Sequence, residues 1–239
     1  MGKFGRFLGG RGAVDTALAT PAGHDLAKNI LNGGTFGGRW HLTSKRNQAG
    51  VNTDVALIEA TLRGDQHAFG QLVRAHQNRI FGFVSHYIGD HQEAEDVVQE
   101  TFIQAFRNLA TFRQASSFHT WIYRIAHNLS ARRRQQRARR PRTQLPSHDS
   151  IGMLDRSETG EQRLSRQERA VQVQAALAEM NEEYRTILIL REMQDCDYDT
   201  IAEILAIPVG TVRSRLHRAR LELRERLQPL LVEAGREQS

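Results

Sequence analysis

Apolar residues recur at helical spacing over two long stretches of this chain, with no strand-like alternation competing in the first. Val55, Ile58 and Leu62 begin the first stretch. Phe69, Leu72, Val73 and His76 continue it after Gly64-Asp65, and Ile80, Phe81, Val84 and Ile88 carry it to Gly89-Asp90. The segment Glu93 to Leu109 gives the clearest helix, with Val98, Phe102, Phe106 and Leu109 on one side. A polar loop, Thr111 to Ser117, precedes another helix in which Ile122, Ile125 and Leu129 face inward. The second stretch runs from Leu164 to Leu231, through Val171, Ala175, Leu177 and Met180 and then Tyr184, Ile187, Leu188 and Leu190. The pattern predicts an all-α protein.

Near the end of the second stretch the pattern becomes specific. Asp197 is placed to N-cap a helix from Tyr198, with Ile201, Ala202 and Leu205 on one side. Pro208 biases Ile207 away from helix and has no amide to donate, so one helix stops and another starts beside it. In the following helix Val212, Leu216, Ala219 and Leu223 form an apolar stripe, while Thr211, Ser214, Arg215 and Arg218 share another face flanked by Arg213, His217 and Arg220. Hydroxyl and guanidinium donors on the second helix of such a pair suit a DNA groove. The alternative is an ordinary solvated face.

Between the two stretches lies a segment with Pro141, Pro146, Gly152 and Gly160 and no sustained apolar face. The expected organisation is therefore two small helical domains joined by a flexible linker: residues 53–139, a linker over 140–163, a helix-turn-helix (winged-helix-like) domain over 164–232, and a tail over 233–239. Residues 1–52 hold most of the chain's glycines and little periodicity, which predicts disorder, a basic arm toward DNA being the alternative. Because no methionine falls between Met1 and Met153, Val51 is the expected GTG start of a shorter natural product, a reading that Gly2 or Lys3 in N-terminal mass spectrometry would end.

Charge narrows the partners. The net charge of +6 suits a polyanion, and Arg132, Arg133, Arg134, Arg137, Arg139, Arg140 and Arg142 crowd one segment. Trp121, Tyr123, Arg124, His127 and Asn128 surround the helix just before it, so a stacking surface continues into a phosphate track, as unpaired bases require. Trp121 alone is as readily a core residue. On the 93–109 helix, Asp96, Gln99, Glu100 and Ile103 combine acids, an amide and an aliphatic group, which fits either helix docking or a solvated face. A single cysteine, Cys196, excludes an intramolecular disulfide and fits a reducing cytoplasm; no run is long and apolar enough for a membrane span.

Three segments in order, Asp96-Val97-Val98-Gln99-Glu100-Thr101-Phe102, then Phe112-Arg113 with Phe118-His119-Thr120-Trp121-Ile122-Tyr123-Arg124-Ile125-Ala126-His127-Asn128, then Pro208-Val209-Gly210-Thr211-Val212-Arg213-Ser214-Arg215, resemble the extracytoplasmic-function group of bacterial sigma-70 factors, over residues 54–230. The resemblance implies that Asp96, Gln99, Glu100 and Ile103 dock on the β′ clamp helices of core RNA polymerase, with the β flap as a second contact. It implies that Arg113, Phe118, His119, Trp121, Tyr123, Arg124, His127, Asn128, Arg132 and Arg133 hold the melted −10 strand. Thr211, Arg213, Ser214, Arg215, His217 and Arg218 would read the −35 duplex. It implies an anti-sigma factor, often membrane-anchored, and neither a cofactor nor a small-molecule substrate. The sequence departs from the family in having Met180-Asn181 before the C-terminal helices, Asp197-Tyr198-Asp199-Thr200 opening the first of the pair, and His127 at a position more often small or aliphatic.

Two rival readings accompany it. A regulator with the same helix-turn-helix could bind duplex DNA without polymerase, which would leave the acidic face and the aromatic-basic helix without work. An enzyme could use His86, His91, Glu95 and Asp96 as metal ligands, but only His91 and Glu95 stand one helical turn apart, and acids at a helix start already serve the dipole.

Overall fold

The computed structural model describes the backbone of residues 44–113, 116–139 and 160–236, with side chains over 53–113, 116–139 and 170–228. Among them every regular element is helical: α1 (Ser44–Leu62), α2 (Gln66–Ile88), α3 (His91–Asn108), α4 (Phe118–Arg139), α5 (Gly160–Glu179), α6 (Glu182–Leu188), α7 (Tyr198–Leu205) and α8 (Val209–Arg236). A 3₁₀ turn, Leu109–Thr111, follows α3, and a π-helical segment, Ile189–Met193, continues α6. The expected N-terminal disorder over residues 1–43, the linker over 140–159 and residues 237–239 lie outside the described residues.

Local chemistry sets the ends. The Asp65 carboxylate accepts from the amides of His67 and Ala68 to start α2, and Asp90 accepts from Glu93 to start α3. Gly89 stops α2 in the left-handed region, φ 77°, which glycine adopts without a Cβ clash. Helix α1 begins nine residues before the expected domain boundary. Once the Ile58 turn is fixed in the core, each added residue closes a hydrogen bond without a new nucleus, and nothing in 44–52 is a helix breaker strong enough to stop propagation.

Helices α1 to α4 pack around Ile58, Leu72, Ile80, Phe81, Phe83, Val97, Phe102, Leu109 and Ile122; α5 to α8 pack around Leu177, Ile187, Leu188, Ile201, Val212, Leu216 and Leu223. These two helical units meet, α4 against α7 and α2 against both α5 and the π segment. Their buried residues form one continuous apolar cluster.

Arg185 organises the C-terminal unit. It is almost fully buried, its Nε donates to the Leu177 carbonyl and its Nη2 to those of Ala178 and Met180, closing the C-terminus of α5 where carbonyls lack helical partners. The guanidinium lies 5.8 Å from the Tyr87 ring of α2. Burial pushes its pKa down to about 10.

Candidate nucleic-acid and docking interfaces

The helix pair of the C-terminal unit forms as its sequence requires. Asp197 accepts from the Thr200 amide at 2.7 Å, and Ala206 ends α7 with φ 53°. The α8 stripe is buried: Val212, Leu216, Ala219 and Leu223 are each at most 1% exposed. On α7 the deeply buried pair is Ile201 and Ile204, with Ala202 and Leu205 only half-buried, so the inward face is rotated from the expected set. The cause is that α7 packs on α8 and on α4 together, which widens its covered side.

Opposite the stripe, Arg213, Ser214, His217 and Arg218 are exposed and Thr211 is half-buried. Ser214 Oγ donates back to the Thr211 carbonyl. Arg215 is half-buried and pairs with Glu183 of α6 at 3.0 Å. Arg220 is a structural residue, its Nε and Nη2 both donating to the buried Glu192 carboxylate of the π segment. The i+5 geometry turns the backbone so that Glu192 faces α8 while Gln194 faces α2 and α4.

On α3, Asp96, Gln99 and Glu100 are exposed and Ile103 is half-buried, while Val98, Phe102 and Leu109 line the core. Arg133 of α4 comes within 3.9 Å of Asp96, and Arg137 within 3.6 Å of Glu93, so part of the basic cluster screens the acidic face. Arg134 donates to the Tyr87 carbonyl at the end of α2, which makes it a cap. Arg132 is exposed.

The residues expected to face the unpaired strand, on α4 and in the loop before it, divide sharply. Arg113 and Asn128 are exposed. Trp121 is half-buried against Phe112 and Phe118, rings 5.1 and 5.8 Å away. Phe118 and Tyr123 are not surface residues here: they are 3% and 0% exposed. Phe118 belongs to the core because it begins the helix under Phe112 and His76. Tyr123 packs on the rings of Phe83 and His119, and its hydroxyl lies 2.9 Å from the Gln194 side chain of the C-terminal unit. Arg124 donates to the Glu203 carbonyl of α7. His119 lies 4.5 Å from the Tyr123 ring with its Nε2 buried and unpartnered, and burial with the nearby His76 and Arg79 pushes its pKa down to about 4. His127 meets the Tyr87 ring edge-on at 5.8 Å, and burial lowers its pKa.

The rival metal site is not assembled: His86 is hydrogen-bonded to Gln174, and no group of three or more ligand-type residues converges among the described residues. No helix among them is long and apolar enough to cross a membrane. Sequence reasoning missed Glu182, Gln174 and Gln194, which touch the other unit across roughly 70 to 95 positions of chain, a separation that periodicity cannot register.

The sigma-70 region 2 family matches residues 72–140, and the sigma-70 region 4 family matches residues 163–223. The chain is 40% identical over 187 residues to the RNA polymerase sigma-H factor of Pseudomonas aeruginosa, covering 76% of this chain and 97% of that protein. It is 37% identical over 185 residues to the ECF RNA polymerase sigma-E factor of Haemophilus influenzae, covering 75% and 97%. Among solved structures, CnrH in complex with the cytosolic domain of CnrY aligns with a TM-score of 0.57 at 26% identity, over 74% of this chain and 98% of that one.

Proposed function

The chain belongs to the sigma-70 family, in the extracytoplasmic-function group of RNA polymerase sigma factors, and on that premise we propose how its surfaces divide the work. It binds core RNA polymerase and directs promoter-specific transcription initiation in an extracytoplasmic stress response. The exposed Asp96, Gln99 and Glu100, with Ile103 between them, dock on the β′ clamp helices. The acids set orientation, and the aliphatic centre gives the contact an apolar anchor. The C-terminal unit also touches the β flap.

Helix α8 enters the major groove of the −35 element. The observation that carries this is the pairing of a fully buried stripe with an opposite face of Thr211, Arg213, Ser214, Arg215, His217 and Arg218. A helix so anchored presents its donors rigidly to base edges. Region 2 takes the −10 strand once it unstacks. Trp121 offers a ring, Asn128 an amide, and Arg113, Arg124 and Arg132 neutralise phosphates. Opening follows from capture of the unpaired strand, and the chain contributes no bond-breaking chemistry of its own. Weak grips on polymerase and on two DNA elements add, since each later contact is intramolecular once the first is made. The protein works in the cytoplasm, with an anti-sigma factor of the membrane-anchored kind as its inhibitor, as CnrH was captured with the cytosolic domain of CnrY.

The test is Arg215→Ala in gel-shift titration against duplexes with intact and scrambled upstream elements. A bidentate base contact predicts a loss of about 1–3 kcal/mol confined to the intact element. An equal loss on both duplexes would make Arg215 a phosphate contact and remove it from the reading set.

A further inference from the structure

The two helices of the C-terminal pair are held from one place. Ile189–Met193 runs in π geometry, closed by the Gln194 amide on the Ile189 carbonyl at 3.1 Å and by the Cys196 amide on that of Leu190 at 3.0 Å. Two consecutive residues of this segment reach different helices. Arg191 donates to the Cys196 carbonyl at 2.9 Å and lies 5.1 Å from the Tyr198 ring, which fixes the start of α7. Glu192 is the one buried acid among the described residues, and its Oε1 accepts twice from Arg220 of α8, from Nε at 2.9 Å and from Nη2 at 2.6 Å. Its side chain is 5% exposed and that of Arg220 28%, so the pair is largely shielded from water.

We infer that Glu192 and Arg220 are positioning residues for promoter recognition: the pair sets the angle at which α8 carries Thr211, Ser214, Arg215 and Arg218 to the bases. The inference rests on the reading of α8 as the −35 helix. Val212, Leu216 and Leu223 anchor α8 through buried apolar contact, which fixes its depth but has little directional preference. The ion pair supplies direction, because a guanidinium edge meets a carboxylate oxygen well only over a narrow range of angles. Its place along the helix gives it leverage. Thr211 is nine residues from Arg220, about 14 Å at the helical rise, so a tilt of about 5° about Arg220 displaces it by about 1 Å. Base-edge hydrogen bonds fail at that displacement, whereas phosphate contacts made by long, flexible side chains survive it. Disrupting the pair therefore loosens sequence choice more than it weakens DNA binding.

Anisotropy titration of the full-length chain on intact and scrambled −35 duplexes gives a discrimination ratio. Glu192→Gln keeps the side-chain shape and removes the charge; Arg220→Lys keeps the charge and removes the fork. Each should lower the ratio about tenfold, the worth of one base contact, with binding to the scrambled duplex and its salt dependence unchanged. Leu223→Val, in the buried stripe just beyond Arg220, should lower the melting temperature and leave the ratio alone. Without DNA, pulsed electron resonance between nitroxides at Ala178 and Ser214, on a Cys196→Ala background, should show a wider distance distribution in Glu192→Gln than with the native pair. A ratio unchanged in both variants would overturn the inference whatever the distribution, as would an equal fall for Leu223→Val. A native chain that binds both duplexes alike, with the distribution still widened by Glu192→Gln, would instead remove the −35 reading and leave the pair as the constraint on α8.

Discussion

Replacing Arg185 with leucine removes the cation that ends α5 while keeping most of its apolar stem. Three hydrogen bonds, to the carbonyls of Leu177, Ala178 and Met180, disappear. Bonds from a charged donor contribute roughly 1.5–3 kcal/mol each, so the three together supply on the order of 5–9 kcal/mol. Against this, holding the guanidinium charged in the interior has a cost. Its pKa falls from 12.5 to about 10, which corresponds to on the order of 3 kcal/mol. The sign is fixed: a depressed folded pKa means that protonation favours the unfolded chain, and below about pH 10 the penalty is fully present. The net loss expected for Arg185→Leu is therefore about 2–6 kcal/mol. Urea denaturation at pH 7, followed by far-ultraviolet circular dichroism, should show the C-terminal helices unfolding at lower denaturant. Arg185→Lys should recover only part of the loss, because one ammonium cannot reach three carbonyls. A fall under about 1 kcal/mol in the leucine variant would mean that water caps α5 equally well, and that the buried cation does not organise this domain.

Glu183→Gln releases Arg215 from its 3.0 Å partner and removes a negative charge beside the DNA face, so affinity for the upstream duplex should rise up to about fivefold at low salt, exposed pairs being worth at most about 1 kcal/mol; unchanged affinity by anisotropy titration would show that Arg215 already exchanges freely. His119, ordinarily near 6.5 and held at about 4, stabilises the fold above pH 6.5, and that stability is lost as pH falls toward 4, by on the order of 3 kcal/mol in all. His119→Gln should accordingly flatten the dependence of the urea midpoint on pH between 7 and 5, and parallel slopes for the two proteins would refute this. Ala206 sits at φ 53°, so Ala206→Gly should raise the melting temperature, by relief of about 1 kcal/mol of backbone strain; a lowered melting temperature would show that unfolded-state entropy outweighs the strain.

Elements governed by neighbours in sequence are legible in the sequence itself. The 3.6-residue stripe of α8, the Asp197 cap and the Pro208 stop depend on residues within one or two turns, and all three stand in the fold. The outward face of α3 was legible for the same reason. What one domain covers on the other is not local. Phe118 and Tyr123 carry the aromatic signature of a base-stacking surface, yet one lies in its own domain's core and the other beneath Gln194. The π segment was equally hidden. Ile187, Leu188 and Leu190 read as an ordinary α-helix, whereas the chain takes π geometry from Ile189 to Met193, where Glu192 reaches Arg220 and Gln194 reaches Tyr123 across the fold. Charge counting had the same blind spot, since Arg134 and Arg220 are spent on a helix end and a buried carboxylate.

The most direct measurement is run-off transcription by purified core RNA polymerase over a promoter library, comparing this chain with its Glu100→Lys variant. The wild-type chain should confer initiation at a defined subset of promoters. The variant should lose that initiation with its polymerase binding, yet retain upstream-duplex binding. Initiation unchanged by the wild-type chain would contradict the assignment of polymerase as its partner, and full activity of Glu100→Lys would remove the α3 face as the place where polymerase is held.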